Sequence, residues 1–300
     1  MAGAEPQHPG SRAQSSARTW GFLRRFIAVE RRIGARMAAR PSTYYLYEFL
    51  RFGIKQAWAC LFGGAMIALI IATYLWYPAS ASLPRYDFLF LAALAIQAGL
   101  LFFRLETFEE AKVIFVYHVV GTVMEIFKTS VGSWIYPEEA FFRIGGVPLF
   151  TGFMYACIGS YICRAWRLFH FEFEHHPPLW ALVLLSAAIY INFFSHHYLP
   201  DIRLALFAAV GLLFFRTKIF FTNWRTQRWM PMLFGLFLVA FFIWIAENVG
   251  TATKTWMYPN QREAWSMVGF GKLGSWALLL VISWTLVVLV KRRDLHQRCA

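Results

Sequence analysis

The sequence has few charged residues, few cysteines and few of the fingerprints that identify soluble enzymes. Charged residues make up 15% of the chain, whereas a soluble domain usually carries about 25%. The four cysteines include no C-x-x-C pair, which argues against a disulfide framework or a zinc knuckle. There is no Walker A loop, no H-E-x-x-H and no G-x-S-x-G. We therefore predict no metal, no cofactor and no nucleic acid as a partner.

Apolar residues dominate what is present. They make up 59% of the chain, aromatics reach 19%, and the mean hydropathy is +0.48. Several apolar runs approach the roughly 20 residues with which a helix crosses a bilayer. The fold predicted is an all-α integral membrane protein with eight transmembrane helices, at 55–76, 86–103, 113–130, 147–166, 179–195, 202–216, 231–250 and 270–290.

Basic residues are distributed unevenly between the two sides of this arrangement. With a cytoplasmic N-terminus, 22 Lys and Arg lie inside and seven lie outside. This bias satisfies the positive-inside rule and predicts that both termini are cytoplasmic. We therefore attribute the formal charge of +13 to the basic residues that set the topology and that contact anionic membrane lipid. The expected location is the bacterial cytoplasmic (inner) membrane.

The domain boundaries follow from composition. Residues 1–42 form a basic tail in which Trp20, Leu23, Phe26 and Ile27 share one side of a helix, which predicts an amphipathic helix on an anionic leaflet. A targeting sequence is the alternative. Two four-helix repeats follow, at 43–168 and 169–293, and 294–300 form a C-terminal tail.

The repeats are predicted from a motif that occurs twice. The pattern E-x3-T-x4-W-x-Y-P begins at Glu125 and again at Glu247, and every member shifts by 122 positions. Both copies lie at the outer end of an odd-numbered span and in the loop after it. The two halves are therefore predicted to be parallel, and sites in such proteins tend to lie where halves meet. The alternative is that the duplication reflects only how the scaffold arose and does not mark a functional site.

Glu125 and Glu247 are the candidate catalytic residues. A carboxylate in hydrocarbon is costly, so it faces the bundle interior and has a partner. When protonated it can donate a proton, and when ionised it can remove one. The alternative is a structural glutamate that accepts hydrogen bonds from a neighbouring indole or tyrosine and holds helices together.

Further polar and aromatic residues are assigned to a substrate pocket around these glutamates. Spacings of four, three and four place His118, Thr122, Glu125 and Thr129 on one face of the third span. Lys128 lies one turn from Glu125 and is a candidate ion partner for it. The complete predicted pocket is His118, Thr122, Thr129, Trp134, Tyr136, Asn192, Asn248, Trp256 and Tyr258.

Other charged segments are interpreted as solvated. The turn from Arg104 to Lys112 is predicted to form exposed pairs along a helix. The histidines at 170, 175 and 176 and those at 196 and 197 are predicted on opposite sides of the membrane. They therefore cannot join in one metal site.

Three stretches resemble one family. GTVMEIFKTSVGSWIYPEEAFFRIGGVPLFTGFMYACIGSYICRAW starts at Gly121, FFIWIAENVGTATKTWMYPNQ starts at Phe241, and NFFSHHYLPDIR starts at Asn192. Together they resemble the YoaT-like family of bacterial integral membrane proteins, a domain-of-unknown-function group, over about residues 45–293. The resemblance implies a multi-pass membrane protein and no established activity.

A second, weaker resemblance concerns chemistry. A membrane glutamate followed by an aromatic-x-Tyr is similar to membrane-bound carotenoid cyclases and hydratases, where acidic residues are thought to protonate a polyene. Glu125 and Glu247 match those positions. The sequence departs from that pattern because it lacks a clear Pro-x-Glu-Glu segment. Pro137-Glu138-Glu139 matches that segment only in part and lies at a different place.

Three functions follow as hypotheses. The first is an intramembrane acid–base enzyme acting on an isoprenoid or other long-chain lipid, with an apolar cavity between the halves. The second is a proton-coupled secondary transporter, which predicts broken helices and a polar path; Gly63-Gly64 is the main candidate break. The third is a non-catalytic membrane scaffold that has no pocket.

Overall fold

The computed structural model describes residues 41–291, together with residues 29, 32–34, 36 and 37. The apolar side predicted at 20–27 and the tail predicted at 294–300 lie outside these residues. Contacts divide the chain after Phe52. The unit that begins at Gly53 contains both copies of the repeated motif.

Helices make up most of the described chain. They are α1 Pro41–Ala59, α2 Leu61–Trp76, α3 Arg85–Phe102, α4 Phe108–Ser130, α5 Phe150–Phe169, α6 Leu179–Ser195, α7 Arg203–Phe214, α8 Met232–Ala252 and α9 Phe270–Val290. A short 3-10 helix occupies Pro259–Gln261. Each of the eight predicted spans coincides with a helix, and the first is divided between α1 and α2.

Length and hydropathy identify four to five candidate membrane spans within the described residues. Helices α3, α4, α8 and α9 are each long and apolar enough to cross a bilayer. Helices α1 and α2, bent by 71° at their junction, supply a fifth if they are one span. Helices α6 and α7 are apolar but shorter. A mainly helical protein suited to a membrane is therefore supported, and the count of eight spans stays a prediction.

Short strands interrupt the helices, which the all-α prediction did not include. Strands β1 (Arg143–Ile144) and β2 (Val147–Pro148) form a hairpin before α5. Its two-residue turn has φ of +57° at Gly145 and +81° at Gly146. Both angles are positive, as a type I′ turn requires, and glycine adopts them without steric cost.

A second, three-stranded sheet lies at the other end of the helices. Strands β3 (Glu172–Glu174), β4 (Lys218–Thr222) and β5 (Gln227–Pro231) pair antiparallel in that order. Helix α7 ends at Phe214, two residues before the predicted end of the sixth span, and the apolar run that follows it is β4.

The main hydrophobic core in the unit beginning at Gly53 is built by α2 to α9. Its aromatic residues include Trp166 of α5 and Trp284 of α9, whose rings stack with centroids 5.3 Å apart. Phe173 of β3 packs edge-on against Trp284 at 5.2 Å. The small sheet is thereby attached to the helices, and both copies of the motif are placed at the opposite end.

Candidate functional site

Glu125 lies in the last two turns of α4 and is 5% exposed. Three donors converge on its carboxylate. Trp134 Nε1 donates to Oε2 at 2.7 Å, Tyr136 OH donates to the same oxygen at 2.5 Å, and Tyr155 OH donates to Oε1 at 2.7 Å. Both oxygens are therefore hydrogen-bonded, which is the condition under which a buried carboxylate is tolerated.

Glu247 occupies the corresponding place in α8 and is also 5% exposed. Tyr258 OH donates to Oε1 and Trp276 Nε1 donates to Oε2. In both copies the tyrosine eleven positions after the glutamate donates its hydroxyl to the carboxylate. The geometry agrees with the prediction that Tyr136 and Tyr258 lie beside the glutamates.

The two clusters differ in their indole donor. At Glu125 the indole is Trp134 of the motif. At Glu247 it is Trp276 of α9, whereas the Trp256 ring lies against the backbone of Gly250. The assignment of Trp256 to the glutamate site is therefore replaced by Trp276, which sequence reasoning missed because it lies outside the motif.

The two clusters contact each other. Ile135 and Met257, which are corresponding positions of the two copies, pair in antiparallel orientation. Ile135 N donates to Met257 O at 2.9 Å, and Met257 N donates to Ile135 O at 3.0 Å. The Trp134 and Tyr258 rings meet edge-to-face, with centroids 6.1 Å apart.

Lys272, in the first turn of α9, lies above this aromatic contact. Its ammonium is 4.4 Å from the centre of the Tyr258 ring and 4.9 Å from that of Trp134. In the topology predicted from the sequence, Lys272 is one of the seven outer basic residues and has no role in the site. The position that corresponds to it in the first half is Phe150, which packs against Tyr136 at 6.4 Å. The surroundings of the two glutamates therefore differ by one charge.

Electrostatics keep the loop tyrosines protonated. Burial raises the pKa of Tyr136 and of Tyr258 well above the usual tyrosine value, and the adjacent carboxylates raise it further. Each phenol is therefore a hydrogen-bond donor to its glutamate over the physiological range.

The polar face of α4 packs against α5. A Cβ placed on Gly152 of α5 would lie 2.4 Å from His118 Nδ1 and 2.6 Å from Thr122 Oγ1. Thr122 Oγ1 donates to the His118 carbonyl at 2.7 Å. Among the described residues, His118 Nδ1 and Thr129 Oγ1 are buried without a hydrogen-bond partner. These residues of α4 face protein rather than lipid. None of them donates a hydrogen bond to Glu125 or Glu247, whose donors are the tyrosines and tryptophans described above.

The two asparagines of the predicted pocket stabilise loops instead. Asn192 Nδ2 donates to Asp201 at 3.1 Å, and its Oδ1 accepts from Ile202 N at 3.2 Å. Asn248 Nδ2 donates to the Trp244 carbonyl at 2.8 Å, and its Oδ1 accepts from Val268 N at 2.9 Å. Both amides have the contacts of structural residues.

Lys128 contacts histidines rather than Glu125. Its ammonium is 2.8 Å from His197 Nε2 and 3.4 Å from His196 Nε2, and it lies 4.2 Å from the centre of the Phe193 ring. The candidate pairing with Glu125 is therefore replaced by a contact between α4 and the end of α6. Within the described residues, no group of three His, Cys, Asp or Glu is arranged to hold a metal ion.

The charged turn from Arg104 to Lys112 is solvated only in part. Lys112 Nζ lies 2.8 Å from Glu109 Oε1 in an exposed pair, as predicted, whereas Glu106 and Glu110 are buried. Glu106 accepts from Arg164 Nη2 at 3.2 Å and from Ser160 Oγ at 2.5 Å, and both side chains of the ion pair are fully buried. Glu110 accepts from Arg167 Nη1 at 3.1 Å. These pairs hold α5 against the start of α4, and their partners lie too far along the chain for a local pattern to indicate them.

A cleft of about 280 Å³ lies between the end of α2 and the start of α3. Residues from Thr73 to Arg85 and the side chain of Glu138 line it. Neither catalytic candidate is among its lining residues, so this cleft is not the cavity that the enzyme hypothesis places at the glutamates.

Comparison with known proteins gives a family without an assigned activity. Residues 48–284 match the family described as "Protein of unknown function (DUF817)". A protein of Bacillus subtilis (strain 168) described as "Uncharacterized protein YoaT" is 42% identical over 245 residues, which are 82% of this chain and 92% of that protein. No solved structure matches the chain. Neither description refers to carotenoid cyclases or hydratases, so that resemblance stays a hypothesis.

Proposed function

Because the chain belongs to the DUF817 family, which the YoaT-like resemblance predicted and which has no assigned activity, we propose a function from the site alone. Glu125 and Glu247 form a paired acid–base centre of an intramembrane enzyme that acts on an isoprenoid or other long-chain lipid. One observation carries the proposal. Two buried carboxylates, each hydrogen-bonded to a tyrosine and an indole, lie in clusters that contact each other.

The chemistry needs no oxidant or reductant. One carboxylic acid gives its proton to a carbon of a C=C bond, which leaves a carbocation on the neighbouring carbon. The other carboxylate removes a proton from the adjacent carbon and restores a double bond. Atoms and electrons balance, and the product is an isomer or a cyclised form of the substrate.

The aromatic contact between the clusters suits a cationic intermediate. Trp134 and Tyr258 already have the Lys272 ammonium over their rings, at 4.9 and 4.4 Å. Ring faces that hold one cation in a dry site also stabilise a carbocation, by about 2 kcal/mol when it is desolvated. A carbocation can occupy these ring faces only after the Lys272 ammonium has moved away from them.

The topology is proposed with the function. Eight transmembrane helices arranged as two parallel four-helix repeats, with both termini cytoplasmic, place the two glutamates at equal depth in the inner membrane. The reciprocal pairing of Ile135 with Met257 supports this arrangement, because corresponding positions meet in this way on an approximate two-fold axis.

A proton-coupled transporter is the second candidate, and two observations favour it. Ionisable residues follow α4 from one end to the other, at Glu110, His118, Glu125 and Lys128. The junction of α1 with α2 is bent at Cys60, three residues before the predicted break at Gly63. Broken helices and buried ionisable residues are typical of transporters.

Lipid analysis of a strain that lacks the gene tests the proposal. The strain is complemented with wild type, Glu125→Gln, Glu247→Gln or the control Ser130→Ala, whose side chain is exposed on the same helix. We expect a lipid species of shifted abundance in the deletion strain, restored by wild type and by Ser130→Ala. Loss of an acid or base costs about 10²–10⁴-fold in rate, so neither glutamine variant restores it.

Other outcomes reject the enzyme. An unchanged lipid profile in the deletion strain rejects it in favour of transport, which is then measured as proton-driven solute flux in proteoliposomes. Restoration by both glutamine variants rejects acid–base chemistry and leaves the non-catalytic scaffold.

A further inference from the structure

In the proposed topology, the cleft between α2 and α3 lies at the outer end of α2. Helix α2 ends at Trp76, and the residues beside the cleft are outward-facing, with Leu75 56% exposed and Trp76 75% exposed. Tryptophan and tyrosine collect at the boundary between hydrocarbon and water. The cleft therefore opens next to the bilayer surface rather than at its centre.

Arg85 supplies the cleft with an unused hydrogen-bonding edge. Its Nε donates to Glu138 Oε2 at 2.9 Å, and its Nη2 lies 2.6 Å from Oε1, so one edge of the guanidinium holds the carboxylate. Nη1 and Nη2 are both buried and have no hydrogen-bond partner among the described residues, although Nη2 lies within ion-pair distance of Glu138. The Arg85 side chain is 7% exposed, and leaving such a donor unpaired costs free energy.

We propose that this cleft binds the phosphodiester group of a membrane phospholipid, with Nη1 of Arg85 as the donor to a phosphate oxygen. A guanidinium fork matches phosphate geometry, and the edge that carries Nη1 is the one that Glu138 does not use. The partner Glu138 is partly exposed and lies where an ammonium or hydroxyl of the head group reaches it.

The dimensions agree with a head group rather than a whole lipid. The volume of about 280 Å³ is below the roughly 300–1,000 Å³ that encloses a drug-sized ligand. The acyl chains then lie outside the cleft, along the exposed side chains of Leu75 and Trp76. The site is separate from the glutamate clusters, and its occupancy does not depend on the acid–base proposal.

Thermal unfolding of the full chain in lipid-free detergent micelles tests the site. The probes are a short-chain phosphatidylethanolamine, a short-chain phosphatidylglycerol and inorganic phosphate. We expect either phospholipid to raise the melting temperature of the wild type saturably, whereas millimolar inorganic phosphate has no effect. Arg85→Lys keeps the charge but loses the fork, and we expect about tenfold weaker lipid binding.

Two further variants keep the test independent of folding. Ala81→Trp fills the cleft from an exposed position without removing a buried group, and it is expected to abolish lipid stabilisation. Arg143→Gln removes a nearby exposed guanidinium, which donates to the Glu138 carbonyl at 3.0 Å, and it is expected to bind lipid like the wild type.

Three results would overturn the proposal. Equal lipid stabilisation of the wild type, Arg85→Lys and Ala81→Trp would exclude the cleft. A loss in Arg143→Gln as large as that in Arg85→Lys would indicate diffuse surface charge. Binding of inorganic phosphate as tight as that of phospholipid would indicate a site for a free anion.

Discussion

His176, in the segment between β3 and α6, is buried and makes one hydrogen bond through each ring nitrogen. Its Nδ1 lies 2.8 Å from the Pro177 carbonyl, and Trp284 Nε1 donates to its Nε2 at 3.1 Å. One neutral tautomer satisfies both contacts, with the proton on Nδ1. Protonation of Nε2 would bring two N–H groups together, so an acidic medium opposes the native contact.

This geometry predicts a loss of stability in acid. Burial lowers the pKa of His176 to about 4, while an unfolded histidine titrates near pH ~6.5. The pKa of His176 is lower in the native state than in the unfolded state. Its contribution to the free energy of unfolding is therefore complete above pH ~6.5 and declines as the pH falls toward 4, by at most about 3 kcal/mol. Thermal unfolding from pH 7 to 4 measures it.

Variants identify the histidine responsible. His176→Gln should flatten the pH dependence between pH ~6.5 and ~4, whereas His170→Gln, at an exposed position, should leave it unchanged. An identical pH profile for the wild type and His176→Gln would contradict the assignment.

Single residues of the candidate site were predictable only where the repeated motif contained them. Tyr136 and Tyr258 stand at a fixed distance after each glutamate, and the structure brings both to the carboxylates. Tyr155, Trp276 and Lys272 come from the next helix in each half. Their approach depends on how helices pack, which spacing along one segment does not contain.

At the scale of elements, the close approach of α5 to α4 at Gly152 predicts that a small substitution there lowers stability. Gly152→Ala would place a Cβ 2.4 Å from His118 Nδ1, which is closer than the van der Waals radii of the two atoms allow. Overpacking of this kind costs about 1–3 kcal/mol. We therefore expect a lower melting temperature in detergent micelles.

A matched glycine provides the control. Gly64 lies within α2, and a Cβ placed on it would meet no neighbouring atom within 4 Å. Gly64→Ala should be neutral or stabilising by up to about 1 kcal/mol, because alanine has the higher helix propensity. Equal melting temperatures for the two variants would show that α4 and α5 separate easily.

The elements themselves were predicted unequally. Apolar length indicated a helix at each predicted span, because a long apolar run has few alternatives in a membrane. Strand β4 was not predicted, because a run as short as Lys218–Thr222 does not distinguish a strand from a helix segment by periodicity. Arg164 was counted as an inner charge, yet it is fully buried against Glu106, 58 positions earlier.

For the whole molecule, the proposed parallel halves predict which sides of the membrane four exposed positions face. In a background without native cysteines, Glu139→Cys and Arg262→Cys should react with a membrane-impermeant maleimide in spheroplasts. Glu109→Cys and Arg225→Cys should react only after permeabilisation. All four positions are exposed. Glu109 and Glu139 lie at opposite ends of α4, and Arg225 and Arg262 lie on opposite sides of α8.

The labelling pattern separates the alternatives. The opposite pattern at all four positions would place the termini outside. Labelling of Glu139→Cys and Arg262→Cys from different sides would show that the halves are antiparallel, and the proposed axis along the membrane normal would then be wrong.

The bridge between Ile135 and Met257 has a mechanical consequence. Two reciprocal hydrogen bonds join the loops that carry Tyr136 and Tyr258. A loop that lifts away from its glutamate must either break both bonds or pull the other loop with it. The two loops therefore share one degree of freedom, and water reaches both carboxylates in a single concerted opening.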